Sequence, residues 1–265
     1  MAHPGAGRSP PCGDPGNAYV TGWTDSINFP TTPGAYQMTY EGVNHNGYQT
    51  NAAFVTKISQ PLTPIASVAL VQQAANSGTS VTSLTVTLPQ PPRVGDVLIP
   101  TMGSNNSTVS ISGGGVSTWT YIYSEVNQNT IITYGVVDSS PSATITLGLI
   151  GTPSPGDVAS IVSEWSGLTG TADGGGTANG TASPIATVAL TTANANDLLI
   201  SVGGDTGGMT PGSPGAGWTA FTAPAQQPQA AIETAYQIVS ATGSYSDTWS
   251  DTGSTGWDAV IGAFQ

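Results

Sequence analysis

The chain reads as an all-β protein: an antiparallel β-sandwich of the jelly-roll kind, built from two pseudo-repeats and preceded by a small blade-like antiparallel unit. Three observations predict this. First, Gly95-Asp96-Val97-Leu98-Ile99, Trp119, Ile131-Ile132-Thr133-Tyr134 and Ile161 to Trp165 recur in order as Asn196-Asp197-Leu198-Leu199-Ile200, Trp218, Ile232 to Tyr236 and Val260 to Phe264. The offsets 197 − 96 = 101, 218 − 119 = 99, 236 − 134 = 102 and 264 − 165 = 99 are nearly constant, as an internal repeat requires. Second, apolar residues alternate with hydroxyls, as in Leu84, Val86 and Leu88 about Thr85 and Thr87, and in Ile145 and Leu147 between Thr144 and Thr146. Third, Gly, Pro, Ser and Asn clusters break these runs at short intervals, and no stretch of useful length has helical period.

Residues 1–15 hold Pro and Gly without periodicity and are expected to be a flexible tail. Residues 16–60 form a small unit in which Asn17 to Thr24 and Ala52 to Ile58 read as strands, with the turn-rich Phe29-Pro30-Thr31-Thr32-Pro33-Gly34-Ala35 between them. In Asn17 to Gly22, Phe29 to Gln37 and Ala53 to Ile58 this unit resembles the SBBP β-propeller repeat of bacterial secreted proteins. The resemblance implies a single propeller-type blade, whereas a closed propeller needs four to eight.

Prolines 61 and 64 remove ladder donors and mark 61–64 as a linker, so the sandwich is expected over 65–265, with repeats of about 65–168 and 169–265. Two arrangements meet the pattern: tandem sandwiches, or one pseudo-symmetric sandwich in which each repeat supplies half of both sheets. The second is expected, because the junction 169–184 lacks a proline-rich hinge like that at 61. Glu164 to Leu168, Asp173, Asn196 to Ile200, Gly217-Trp218, Tyr236 and Trp257 to Phe264 also resemble the jelly-roll-like modules of bacterial surface and secreted proteins.

With 38% hydrophobic residues the chain can build a core, yet only 7% of residues are charged, against roughly a quarter in an average globular protein. The surface is therefore hydroxyl and amide. Fifteen acids against Arg8, Lys57 and Arg93 give a net charge of −12, which opposes phosphate backbones and anionic lipid, so no nucleic-acid partner is expected. No run nears the roughly 18 apolar residues of a membrane-spanning helix, so no membrane insertion is expected either. Residues 1–15 lack the apolar centre of a secretory signal, and Cys12, the lone cysteine, excludes an intramolecular disulfide. Few lysines and many Thr, Ser, Gly and Asn suit an extracellular or surface-bound bacterial chain.

Candidate chemistry is sparse. Only His3 and His45 are present, no G-x-S-x-G elbow occurs, and the glycine runs at 113, 174 and 203 lead into no helix that would cradle a phosphate. Glu41, Glu125, Glu164 and Glu233 are the only glutamates; Glu164 and Glu233 lie in strands, where two carboxylates could serve a polysaccharide hydrolase. Calcium is the cofactor these residues would suit, through Asp247 and Asp251, which flank Thr248-Trp249-Ser250, and Asp205, which like Asp173 sits in a Gly-rich loop, against the alternative that they are solvated acids.

Aromatic rings stack on the C–H faces of sugars, which makes Tyr245, Trp249 and Trp257, with Asp247 and Asp251, the candidate ligand-binding set. Core packing is the alternative for Trp249 and Trp257 and the expectation for Trp119, Trp165 and Trp218. The leading expectation is a non-enzymatic extracellular adhesion or carbohydrate-binding β protein that meets a glycan or another surface protein. A structural subunit that self-associates through strand edges, and a two-carboxylate hydrolase, are the rivals.

Overall fold

The computed structural model describes residues 17–26, 28–35, 39, 51–59, 67–106, 109–124, 130–151, 155–222, 224 and 226–265. The expected tail, the linker 61–64, the His45 loop, Glu41 and Glu125 lie outside the described residues. Among the described residues there is no helix, and the chain divides into two units, Met1–Ile65 and Ala66–Gln265.

In the first unit β1 (Asn17–Thr24) pairs antiparallel with β2 (Ala52–Ser59), from Asn17 opposite Ser59 to Thr24 opposite Ala52. One face carries Gly22 opposite Phe54, whose ring packs on Phe29 at a centroid distance of 4.7 Å. Glycine is needed there because a Cβ would come within 2.8 Å of the Phe54 ring. The other face carries Trp23 and Val55, 68% and 70% exposed.

Among the described residues the second unit contains four sheets. The first repeat supplies β3 (Ala69–Val81), β4 (Ser83–Thr87), β5 (Val97–Ser104), β6 (Val109–Gly113), β7 (Thr120–Ser124), β8 (Thr130–Val136), β9 (Thr144–Leu149) and β10 (Gly156–Ser166). The second supplies β11 (Ala172–Gly180), β12 (Leu190–Thr191), β13 (Leu198–Asp205), β14 (Thr219–Ala220), β15 (Ala231–Ile238), β16 (Ser244–Tyr245) and β17 (Trp257–Phe264). The large sheets run β3-β10-β5-β8-β7 and β11-β17-β13-β15-β14, which is one order written twice. The small sheets run β4-β9-β6 in the first repeat and β12-β16 in the second. Isolated bridges extend the latter, Ala186 to Thr248 and Thr210 to Thr252, the second of them where a counterpart of β6 would lie.

Among the described residues no sheet takes strands from both repeats, which corrects the expectation that each repeat supplies half of both sheets. Each repeat instead closes its own jelly-roll-like sandwich, a large sheet over a small one, and the two large sheets then pack face to face. The physical reason is length: about a hundred residues suffice to bury a core of their own, and pairing within a repeat closes shorter loops than pairing between repeats.

The cores follow these layers. Leu84, Val86, Ile145 and Leu147 of the first small sheet pack on Leu98, Met102, Val158 and Val162 of its large sheet. The opposite face of that large sheet, through Val97, Ile99, Ile132, Ile161 and Trp165, meets Leu198, Ile200, Val202, Val260 and Phe264 of the second repeat. Sheets covered on both faces need strands without an outward polar side, and β5, β13 and β17 are accordingly buried at every position. The small sheet alternates, as β4 does, because only one of its faces meets the core.

Polar contacts close the seam between repeats. Gln227 Nε2 donates to Ser77 Oγ at 2.7 Å, Gln73 Nε2 to Thr222 Oγ1 at 3.0 Å, and Asn105 Nδ2 to Gln229 Oε1 at 2.5 Å. Asp157 Oδ2 accepts the Gln229 amide at 3.2 Å and its Oδ1 accepts that of Ser80 at 3.0 Å.

Candidate functional site

The residues expected to bind a ligand converge on the interior of the second sandwich. The segment 244–252 alternates: Ser246, Thr248, Ser250 and Thr252 face out, while Asp247, Trp249 and Asp251 face in. This period of two is set by the strand-like pairing of Thr248 with Ala186 and of Thr252 with Thr210.

Trp249 and Trp257 are 2% and 7% exposed and pack with Ile185, Met209, Ala231, Ala235 and Ala259. The Trp257 indole N–H donates to the Ala182 carbonyl at 2.8 Å. Both rings are core, and their faces are not open to a sugar, which corrects the stacking platform expected from sequence. Tyr245 is half-buried beside Leu190 and Trp218, and its hydroxyl donates to the Ala241 carbonyl at 2.8 Å.

The acids are held by the protein itself. Asp247 accepts the Ser201 hydroxyl at 2.5 Å and the Gly215 amide at 2.8 Å. Asp251 accepts the Ser183 hydroxyl at 2.6 Å, the Ile185 amide at 2.7 Å and the Ser254 hydroxyl at 3.0 Å. Asp205, at the end of β13, accepts the Gly207 amide and those of Thr255 at 3.1 Å and Gly256 at 3.3 Å. Each carboxylate thereby pins a loop, and among the described residues no group of three or more His, Cys, Asp or Glu is arranged to hold a metal ion. The calcium set of Asp205, Asp247 and Asp251 is not assembled.

Glu233 of β15 joins Asp247 and Asp251, a proximity the sequence did not indicate. Its Oε2 accepts the Gly212 amide at 2.6 Å, while Oε1 is buried without a hydrogen-bond partner. Gly212 permits this approach, since a Cβ there would collide with the Ser250 and Asp251 backbone. Burial pushes the Glu233 carboxyl up to about 7, against the Gly212 hydrogen bond and aided by the charges of Asp251 and Asp247. Burial also raises Asp247, opposed by its bonds from Ser201, Gly215 and Thr248. Chemically this is a buried acid that holds a proton near neutral pH beside two loop-pinning carboxylates.

Glu164 and Glu233 do not share a groove. Glu164 lies on the face of β10 that carries Val158 and Val162 into the first sandwich, whereas Glu233 lies with Ala231 and Ala235 in the second. The doubly covered large sheets stand between them, so the paired-carboxylate hydrolase loses its geometry.

A second group of acids, Asp96 with Glu164 and Asp197 with Asp173, was missed as pairs, although Asp96 and Asp197 occupy matching places in the repeat. Compared with known proteins, the chain matches no family model, no curated protein and no solved structure.

Proposed function

We propose that the chain is an extracellular bacterial β protein without catalytic activity, serving adhesion or carbohydrate binding, and that its contact surface is the outer face of the small sheets. One observation carries this reading. Facing away from the first core, Thr85, Thr146 and Ser112 stand in register across three strands, with Thr87 and Thr144 in the next row, and no charged side chain stands among them. The second repeat presents Ser246, Thr248, Ser250 and Thr252 outward along a single segment.

Hydroxyls donate and accept, so such a face matches the hydroxyl pattern of a neutral glycan with no charge to desolvate. The composition and the likeness of residues 17–58 to a secreted propeller repeat support the extracellular, bacterial setting. The test is a glycan array and sedimentation with insoluble polysaccharides, using the full chain and the exposed-face variants Thr85→Arg and Thr146→Arg. Binding to one glycan class that both variants lose is expected; absence of any binding, or binding indifferent to both, overturns the proposal.

A second reading, assembly through strand edges, is favoured by β11. Its sequence Ala-Asp-Gly-Gly-Gly-Thr-Ala-Asn-Gly contains no Lys or Pro, and among the named strands it pairs with β17 alone. Natural edges usually carry such blocks against strand addition. Light scattering across concentrations tests it: mass should rise with concentration and fall back in Thr177→Lys. A constant monomer mass removes this reading.

A further inference from the structure

Each repeat passes from its small sheet to its large one through a corner loop, and a pair of carboxyl groups ties that corner down. In the first repeat the loop ahead of β5 ends at Asp96. Glu164 of β10 accepts the Arg93 backbone N–H at 2.8 Å and the Gln72 side-chain N–H at 2.5 Å, and the Asp96 carboxyl, whose Oδ2 is buried without a hydrogen-bond partner, faces this same carboxyl. In the second repeat the loop ahead of β13 ends at Asp197, whose carboxyl is fully buried with neither oxygen receiving a hydrogen bond and faces Asp173 of β11. Asp173 also accepts the backbone N–H of Ala193 at 2.6 Å and of Asn194 at 3.2 Å, and the Asn194 side chain at 2.8 Å.

The two sites are counterparts: 197 − 96 and 194 − 93 both equal 101, matching Asp197 to Asp96 and Asn194 to Arg93, while Asp173 fills the bulge between Ala172 and Gly174 that Val71 fills between Leu70 and Gln72. The accepting carboxylate, however, has changed strands. Glu164 has Ala263 as its counterpart (263 − 164 = 99), and where the first repeat carries Val71 at the bulge the second carries Asp173. A Glu-to-Ala difference on one strand is thus matched by a Val-to-Asp difference at the bulge of the next. What persists between repeats is neither residue but the pair: an Asp at the strand entrance, an acceptor carboxylate across from it, and a loop N–H on that acceptor.

Two carboxyl groups in contact with one of them buried do not both ionise cheaply, because like charge and lost hydration act together. One proton serves both, with the Asp96 and Asp197 O–H groups as donors and Glu164 and Asp173, which already receive N–H groups, as acceptors. We infer that these pairs are proton-dependent clasps, one in each repeat, that hold the small-to-large-sheet corner closed in acidic surroundings and loosen it when the shared proton leaves.

The charged groups facing each donor agree with this. Asp96 faces Glu164 from β10 and Arg93 from its own loop; burial, then Glu164, pushes it up to about 6 while Arg93 opposes. Asp197 faces Asp173 from β11; burial, then the bond to and charge of Asp173, pushes it up to about 7. Burial works against the Asp173 anion too, yet the N–H groups of Ala193 and Asn194 and the bond from Asp197 hold it below the ordinary range. A carboxyl raised in the folded state binds its proton more tightly there than in the unfolded chain. Its stabilisation is therefore complete below about pH 4, and it is lost as pH rises through the folded values.

The test is urea unfolding of the full chain at about pH 4.5 and about pH 8, in wild type and in Asp96→Asn with Asp197→Asn, whose amides donate at either pH. The wild-type unfolding constant is expected to rise on the order of tenfold per clasp, with Asp96 discounted for its partial exposure. The double variant is expected to lose that part of the rise while Glu233→Gln leaves it in place. A wild-type constant that does not rise, or a double variant that keeps the whole rise, overturns the inference. Should the variant not fold, carbon-13 titration of the Asp96 and Asp197 carboxyls in the wild type decides: midpoints above about 5 support the clasp, and midpoints near the ordinary aspartate value of about 3.9 overturn it.

Discussion

Trp165 and Tyr236 meet edge to face across the seam between repeats, ring centroids 5.1 Å apart at 72°. Tyr134 and Phe264 repeat the contact at 5.2 Å and 68° with the repeats exchanged, for Phe264 is the counterpart of Trp165 and Tyr236 that of Tyr134. Residue i of one repeat touching j of the other, and j touching i, is the signature of a two-fold relation. The sequence repeat has thus become an internal, self-complementary interface.

Trp165→Ala should lower stability by about 3–5 kcal/mol in denaturant titrations, as emptying a fully buried indole site does. A double-mutant cycle with Tyr236→Ala should return a coupling of about 0.5–1.5 kcal/mol, and a coupling near zero would deny the pair any specific role.

The first repeat produced alone, residues 66–168, bares Val97, Ile99, Ile132, Ile161 and Trp165 as one apolar sheet face. Such a face does not stay in water uncovered. The fragment should self-associate in light scattering and bind a hydrophobic dye. A folded monomer that binds none would show that the face-to-face packing is dispensable.

Asp251 anchors three donors, so Asp251→Ala leaves the Ile185 amide and the Ser183 and Ser254 hydroxyls without their acceptor. A loss of about 2–4 kcal/mol is expected from urea titrations. A loss below about 0.5 kcal/mol would mean the loops find other partners.

Glu233 gives the pH dependence a second source. Its folded value of about 7 lies above the usual 4.5, so its contribution is complete below that lower value and fades as pH rises toward 7 and beyond. Glu233→Gln keeps the Gly212 contact while staying neutral. It should recover on the order of 2 kcal/mol at about pH 8 and almost nothing at about pH 4; equal effects at both would refute the buried-proton assignment.

Adding calcium or a chelator should leave the melting temperature unchanged, because Asp205, Asp247 and Asp251 are each occupied by N–H and O–H donors. An ion bound at a hundred times its dissociation constant would add about 2.7 kcal/mol, and a shift of that size would restore the metal site.

Much of the fold was legible. The alternation at Leu84, Val86 and Leu88 and at Ile145 and Leu147 marks strands with one wet face, and the structure places all but Leu88, which follows β4 directly and packs in the same core, in the small sheet of the first repeat. The near-constant offset carried the duplication, including Asp96 and Asp197. The two-carboxylate pairs were not legible, since Glu164 and Asp173 sit at non-equivalent positions and only strand order reveals that both reach the same corner. Trp249 and Trp257 were ambiguous for a related reason: a short polar–aromatic alternation does not say which side of the strand is covered.

By itself, then, the sequence determined an all-β chain with a duplication over residues 65–265 and a composition poor in charge and rich in hydroxyls, because strand period, turn residues and composition are local properties. Only the tertiary structure decided that each half closes its own sandwich and that the two large sheets cover each other. The apolar runs at 97–99, 198–202 and 259–264 suit any doubly covered strand. Which sheet covers them depends on contacts between residues about a hundred positions apart, and no local pattern encodes those.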